Sequence, residues 1–99
     1  MQPHFTEFAE HARQFEQQMR DAQAELERAV VTGGSADATV TVVADGLGRT
    51  RAVRVEPVVF ERRDAPALEA AILQAIRAAA DNASRLAGAR MGPIELHLS

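Results

Sequence analysis

Apolar residues in the first third of the chain fall at Phe5, Phe8, Ala12, Phe15, Met19, Ala22, Leu26 and Ala29, in alternating steps of three and four. Such spacing is the seam of a coiled coil, with Glu, Gln, Arg and Asp between its positions on a solvated face. Pro3 sits where a first helical turn accepts it. The pattern predicts a helix over residues 3–29, roughly 40 Å long at 1.5 Å per residue. A rod of that length cannot be buried inside a small domain. It is expected to project as an arm and to need a partner helix along its stripe.

Thr32-Gly33-Gly34-Ser35 ends that pattern, because paired glycines and a β-branched residue disfavour helix continuation. The period then changes to two. Thr39–Val43 alternates Thr and Val, and Arg49–Glu56 carries Val53 and Val55 on one parity, so two strands are expected around a hairpin at Asp45-Gly46-Leu47-Gly48. Val30–Gly33 adds a short first strand, and Pro57 closes the last one because it cannot donate to a ladder. Strict alternation places Arg49 and Arg51 on the face of Val53 and Val55, with Arg54 on the other. Val58-Val59-Phe60 is expected to cover one end of the sheet, ahead of a turn at Arg62 and Arg63.

Asp64 fits an N-cap with Pro66 in the first turn, which predicts a second long helix over residues 65–88, stopped at Gly88 and Gly92-Pro93. Its stripe of Leu68, Ala71, Ile72, Ala75, Ala79, Ala83 and Leu86 is mostly alanine, small enough for close approach to the first helix. Residues 92–99 alternate like a strand at Ile94-Glu95-Leu96-His97-Leu98 and offer a contact for a partner. The expected fold class is α+β: a long N-terminal helix, a three-stranded antiparallel sheet over residues 30–57 and a long C-terminal helix (α-β-β-β-α).

Length makes this one domain over residues 1–99. A monomer of this size buries only about two thirds of its unfolded surface. With four Phe and no Trp or Tyr, a homodimer is an economical source of stability. Phe8, Phe15, Met19 and Leu26 on the seam, and Val40, Val42, Val53 and Val55 in the sheet, are the candidates for packing the arms and the dimer. Absence of cysteine excludes a disulfide framework and a thiolate zinc site. Met1–Phe5 lacks the basic-then-apolar order of a secretory leader, and no stretch reaches the roughly 20 apolar residues of a membrane span. A soluble, cytoplasmic protein is expected.

Chemistry is sparse. His4, His11 and His97 make no metal-ligand spacing, the glycines form no phosphate-cradling motif, and neither Ser35 nor Ser84 has a neighbouring His. No enzyme activity, cofactor or metal is expected. The formal charge is −3, unevenly spread: residues 1–29 are net acidic, residues 30–63 carry the only locally basic segment, and every basic residue is Arg.

Thr32-Gly33, Val40-Thr41-Val42, Asp45-Gly46, Val53-Arg54-Val55-Glu56-Pro57 and Leu68-Glu69 ahead of the alanine-rich seam, taken in order from Phe15 to Met91, resemble the YbaB/EbfC family of small bacterial nucleoid-associated proteins. That resemblance implies an α-β-β-β-α homodimer whose sheets form a central body, whose helices project as paired arms, and which holds double-stranded DNA. The chain departs from the family at Ala75-Ile76-Arg77-Ala78-Ala79, where A-x-N-D-A is common, and in its acidic first helix, which is often Lys-rich elsewhere.

If the arms hold DNA, the contacts are Arg13 and Arg20 on the first helix with Arg77, Arg85 and Arg90 on the second. Arg49, Arg51 and Arg54 are the alternative, against the sheet. The competing expectation pairs these arginines locally, Glu16 with Arg20 and Asp81 with Arg85. With Phe residues committed to seam and core, binding should run through duplex backbone with little sequence readout. The other function class is a dimeric, non-enzymatic interaction module that holds a protein partner through its acidic arms or residues 92–99. Arginines spread over one open surface favour DNA; arginines paired internally with Glu and Asp favour the module.

Overall fold

The computed structural model describes the backbone of residues 3–91 and the side-chain surroundings of residues 7–90. Helix α1 (Pro3–Arg28) leads into strands β1 (Val30–Gly34), β2 (Val40–Asp45) and β3 (Thr50–Val55), a short helix α2 (Val58–Arg62), and helix α3 (Ala65–Met91). The strands form one antiparallel sheet in the order β1-β2-β3. The expected α-β-β-β-α order is observed, with α2 as an addition over the Val58-Val59-Phe60 segment and the expected turn following at Arg63. The partner contact expected at residues 92–99 lies outside the described residues.

Hydrogen bonds local to each junction fix the elements. Asp64 Oδ1 accepts from the Ala67 N–H at 3.1 Å and caps α3. In the β1–β2 turn, Asp37 Oδ1 accepts from the Thr39 hydroxyl at 2.7 Å, the Thr39 N–H at 3.1 Å and the Ser35 hydroxyl at 2.8 Å. Ser35 Oγ in turn accepts from the Val40 N–H at 3.0 Å.

Helix α3 lies across β1 and β2, and the core forms between them: Val40, Val42 and Ala44 meet Ala71, Ala75 and Ala79, with Val31, Val55, Leu68 and Ile72 at its margin. The alanine stripe therefore serves the sheet and not the first arm, which corrects the expected helix–helix role. Gly33 explains the geometry. A Cβ there would lie 2.6 Å from Ala78 C and 2.7 Å from Ala75 O, and closer still to Ala79 N. Only a glycine lets the helix backbone sit this near the strand. Asn82 Nδ2 donates to the Thr32 carbonyl at 2.7 Å, and Gln74 Oε1 accepts from the Ala36 N–H at 3.0 Å, tying the same helix to β1 and its turn.

Val40 and Val42 are fully buried by this packing, so they are core residues and not dimer contacts. Leu26 is likewise spent inside the chain, 3% exposed. The Leu26 carbonyl accepts from the Gly46 N–H at 2.8 Å, and a Cβ on Gly46 would meet that oxygen at 2.7 Å. Here α1 docks on the β2–β3 hairpin. Helix α3 runs through Gly88, where the expected stop is replaced by three more residues, and Arg90 on that extension pairs with Glu25 of α1.

Beyond this docking point α1 stands clear of the other described elements. Every side chain from Glu10 to Asp21 is exposed, Phe8 is 71% exposed and Phe15 59%. The radius of gyration is 20.2 Å and the long dimension 76 Å, whereas a compact domain of about 100 residues has a radius near 13 Å. The expected projecting arm is present for α1. Most of α3 is body.

Candidate nucleic-acid interface

The register of β2 and β3 decides where the basic side chains go. Val40 faces Val55, Thr41 faces Arg54, Val42 faces Val53 and Val43 faces Ala52, but Ala44 faces Thr50, so Arg51 is an extra residue in a bulge. A bulge breaks the two-residue alternation and re-aims the side chain it carries. Arg51 therefore leaves the parity of Val53 and reaches Asp45, with Nη2 3.0 Å from Oδ2. Arg49 reaches the same carboxylate, Nε to Oδ2 at 3.3 Å, and also Glu27 of α1 at 3.5 Å. This corrects the expectation that Arg49 and Arg51 line a face with Val53 and Val55.

Asp45 is the hub of this end of the sheet, 1% exposed although charged. Its Oδ1 accepts from the Leu47 N–H at 2.9 Å and the Arg49 N–H at 3.0 Å. The Arg49 N–H, then the Leu47 N–H and the Arg51 guanidinium, hold its carboxyl below the usual range against the opposing effect of burial. Sequence reasoning treated Asp45 as a turn former only. Its D-G-x-G-R context, an acid four residues before Arg49 and six before Arg51, was the signal available.

The other arginines fall into two groups. Arg90 pairs with Glu25, and Arg62 Nη1 lies 3.9 Å from Asp37. Arg85 Nη1 donates to Asn82 Oδ1 at 3.3 Å and not to Asp81, so the expected Asp81–Arg85 pair is absent, as is Glu16–Arg20. Among the described residues Arg13, Arg20, Arg28, Arg54, Arg63, Arg77 and Arg85 make no ion pair. All seven are exposed. Arg13 and Arg20 lie one heptad apart on the back of the α1 seam, Arg77 lies on the outer face of α3, and Arg54 lies on the sheet face turned away from α3. The structure thus gathers Arg49 and Arg51 into one internal cluster and leaves Arg13, Arg20, Arg54 and Arg77 available on separate surfaces.

Exposed apolar residues are the second feature of the surface. Helix α3 does not cover β3, so Val53 is 46% exposed although it faces the helix layer opposite Val42. Ile76 is exposed and Ile72 half-buried on the flank of α3 opposite to Gln74 and Asn82. Val53, Val55, Ile72 and Ile76 form an apolar strip beside the edge strand. Phe60 is also exposed, so it does not cover the sheet as the sequence suggested; Val59 of the same short helix does. Among the described residues no three His, Asp or Glu side chains converge to hold a metal ion, and no helix is long and apolar enough to cross a membrane.

The sequence pattern of the YbaB/EbfC DNA-binding family matches residues 1–98. This chain belongs to that family. Nucleoid-associated proteins of Saccharopolyspora erythraea and Mycolicibacterium vanbaalenii are 32% and 34% identical over 93 residues, each alignment covering 94% of this chain and 80% and 84% of theirs. The crystal structure of an uncharacterized protein from Helicobacter pylori has the same fold, with a TM-score of 0.73 at 16% identity, covering 89% of this chain and 97% of that one.

Proposed function

We propose that this chain is a homodimeric nucleoid-associated protein of the cytoplasm that binds duplex DNA through backbone phosphates, with little sequence readout. Membership of a DNA-binding family carries the reading, supported by exposed arginines on both long helices that no carboxylate among the described residues holds. Arg13, Arg20 and Arg77 are the leading contacts and Arg54 the next. The dimer forms along the strip of Val53, Val55, Ile72 and Ile76, which leaves the arms projecting and doubles every arginine about the two-fold axis.

Binding to a mixed-sequence duplex at about 50 mM and 200 mM salt tests this, because each neutralised phosphate adds about −0.9 to the slope of log affinity against log salt. Arg77→Ala should remove one contact from each subunit and flatten the slope by about 1.8. No detectable binding at the lower salt refutes DNA binding, and a single-chain mass by light scattering refutes the dimer.

One observation favours the second reading, a dimeric protein-interaction module without DNA affinity. Arg49, Arg51 and Arg90 are held by Asp45, Glu27 and Glu25, which is the internal pairing expected of such a module. The same salt titration separates the two.

A further inference from the structure

Among the described residues the α1 seam from Phe8 to Met19 has no partner: helix α3, described as far as Met91, is there only just past the level of Glu25, where Arg90 pairs. We propose that this seam binds the same seam of a second copy in antiparallel orientation, linking homodimers arm to arm.

Size complementarity along the heptad selects the partner and its direction. Written as a heptad, Ala12 and Met19 take a positions and Phe8 and Phe15 take d positions. An antiparallel pair layers a against d. Centred between Arg13 and Gln14, it sets Ala12 against Phe15 of the second copy, and Phe8 against Met19 of the second copy. Each Phe15 ring then fills the space an alanine leaves. A parallel pair would stack Phe8 on Phe8 and Phe15 on Phe15 with Ala12 on Ala12 between them, alternating overfull and empty layers that close packing penalises. Shifting the antiparallel pair by one heptad toward the body needs Leu26, which is already buried under the hairpin, and brings Glu16 against Glu16, whereas the opposite shift sets Met19 against position 1, before α1 begins, and loses its layer.

Charge agrees with the first register. Along its flanks Glu16 lies beside Ala9 of the second copy and His11 beside Gln18 of the second copy, so no like charges meet. Arg13 and Arg20 remain on the outer face. The contact is small. Aromatic side chains bury about 150–250 Å² each when fully covered, and four half-exposed Phe with two Met bring the total to about 800 Å², below the roughly 1,200–2,000 Å² of a stable interface. One arm pair is therefore weak. It gains strength from the two arms of each dimer acting together, the one respect in which the proposal rests on the dimer proposed above.

Sedimentation velocity of the full chain across micromolar to near-millimolar concentrations tests it. The wild type should form species larger than the dimer as concentration rises. Phe15→Ala, which opens a void, and Ala12→Phe, which overfills the layer, should each weaken that association at least tenfold while keeping helix content and the dimer. An equimolar mixture of the two variants should regain it, because each arm then meets its complement. Spin labels on single cysteines at Gln14 or Gln23, specific because the chain has no cysteine, report direction: an antiparallel pair offsets Gln23 labels by about 28 Å along the axis and Gln14 labels hardly at all.

A wild type that stays dimeric throughout, single variants that associate like the wild type, a mixture that regains nothing, or equal label distances at both positions would each overturn the proposal. So would larger species that form only after residues 92–99 are deleted, since that segment would then be the occupant. Failure of the dimer reads differently: Val53→Asp removes the body dimer, whereas Phe15→Ala leaves it intact.

Discussion

Replacing Gly33 with alanine should do more damage than any other single-methyl addition in the body. The new Cβ would meet three backbone atoms of α3, Ala75 O, Ala78 C and Ala79 N, two of them at 2.6–2.7 Å and the third nearer. No rotamer relieves this, because neither the methyl group nor its neighbours can turn away. Restoring ordinary separations of roughly 3.5–4.0 Å requires the helix to lift by about 1 Å. Lifting it loosens Ala71, Ala75 and Ala79 from Val40, Val42 and Ala44 together and stretches the Asn82 bond to Thr32. Overpacked cores cost typically 1–3 kcal/mol, and loss of shape match along a whole helix puts this site at about 3 kcal/mol. For a domain of this size that lowers the melting temperature by roughly 12–24 °C. Gly34→Ala is the control, since its Cβ would find only Val40 O, at an ordinary 3.8 Å. Thermal melts followed by circular dichroism at one fixed protein concentration compare the two, because association shifts apparent stability. If Gly33→Ala melts within 3 °C of the Gly34→Ala protein, the account of helix–sheet packing is wrong.

Acid should weaken the fold through Asp37. Hydrogen bonds from the Thr39 hydroxyl, the Thr39 N–H and the Ser35 hydroxyl, with Arg62 nearby, lower its pKa from 3.8 to about 2. The folded-state value is the depressed one, so the stabilisation is complete above the ordinary carboxylate range and is lost as pH falls from roughly 4 to 2. Melts between pH 6 and pH 2 should show the drop, and Asp37→Asn should flatten it. Leu26→Ala should free α1 from the hairpin at a cost of about 2–5 kcal/mol, seen as faster hydrogen exchange in α1 with little change in β2; unchanged exchange would contradict the docking role of Leu26.

Periodicity was the legible part of the sequence. The seam of α1, the alternation in β2 and the alanine stripe of α3 each predicted an element, because one face of each carries one kind of side chain. What those faces meet was not legible. An alanine stripe suits a helix or a sheet equally well, and only Gly33, a residue far away in sequence, decides for the sheet. The Arg51 bulge was hidden for a similar reason: alternation counts residues, whereas a bulge inserts one. Gly88 reads as a stop, yet the helix continues because that position is exposed and Arg90 beyond it finds Glu25. The candidate site was half legible. Arginine positions could be named, but whether each faces solvent or a carboxylate depends on register and on where α1 docks.

That division of the arginines orders their availability to phosphate. Exposed ion pairs contribute little, about 0–1 kcal/mol, so a phosphate can displace Glu25 from Arg90, or Glu27 from Arg49, at small cost. Asp45 differs, being buried and accepting two backbone N–H bonds as well as both guanidiniums. Drawing Arg51 away would take one guanidinium from that buried carboxylate, and a hydrogen bond to a charged group contributes about 1.5–3 kcal/mol, toward the lower end here because the Arg51 side chain is 59% exposed. Arg51 is therefore held for folding, and Arg49 is held by its Asp45 contact. Among the described residues Arg13, Arg20, Arg54 and Arg77 have no such competitor, and three of these four lie on helices. Within the basic segment that dominates the charge profile, Arg49 and Arg51 are thus less free to meet a phosphate than Arg54 of the same segment, or than Arg13 and Arg20 on the outer face of the acidic arm.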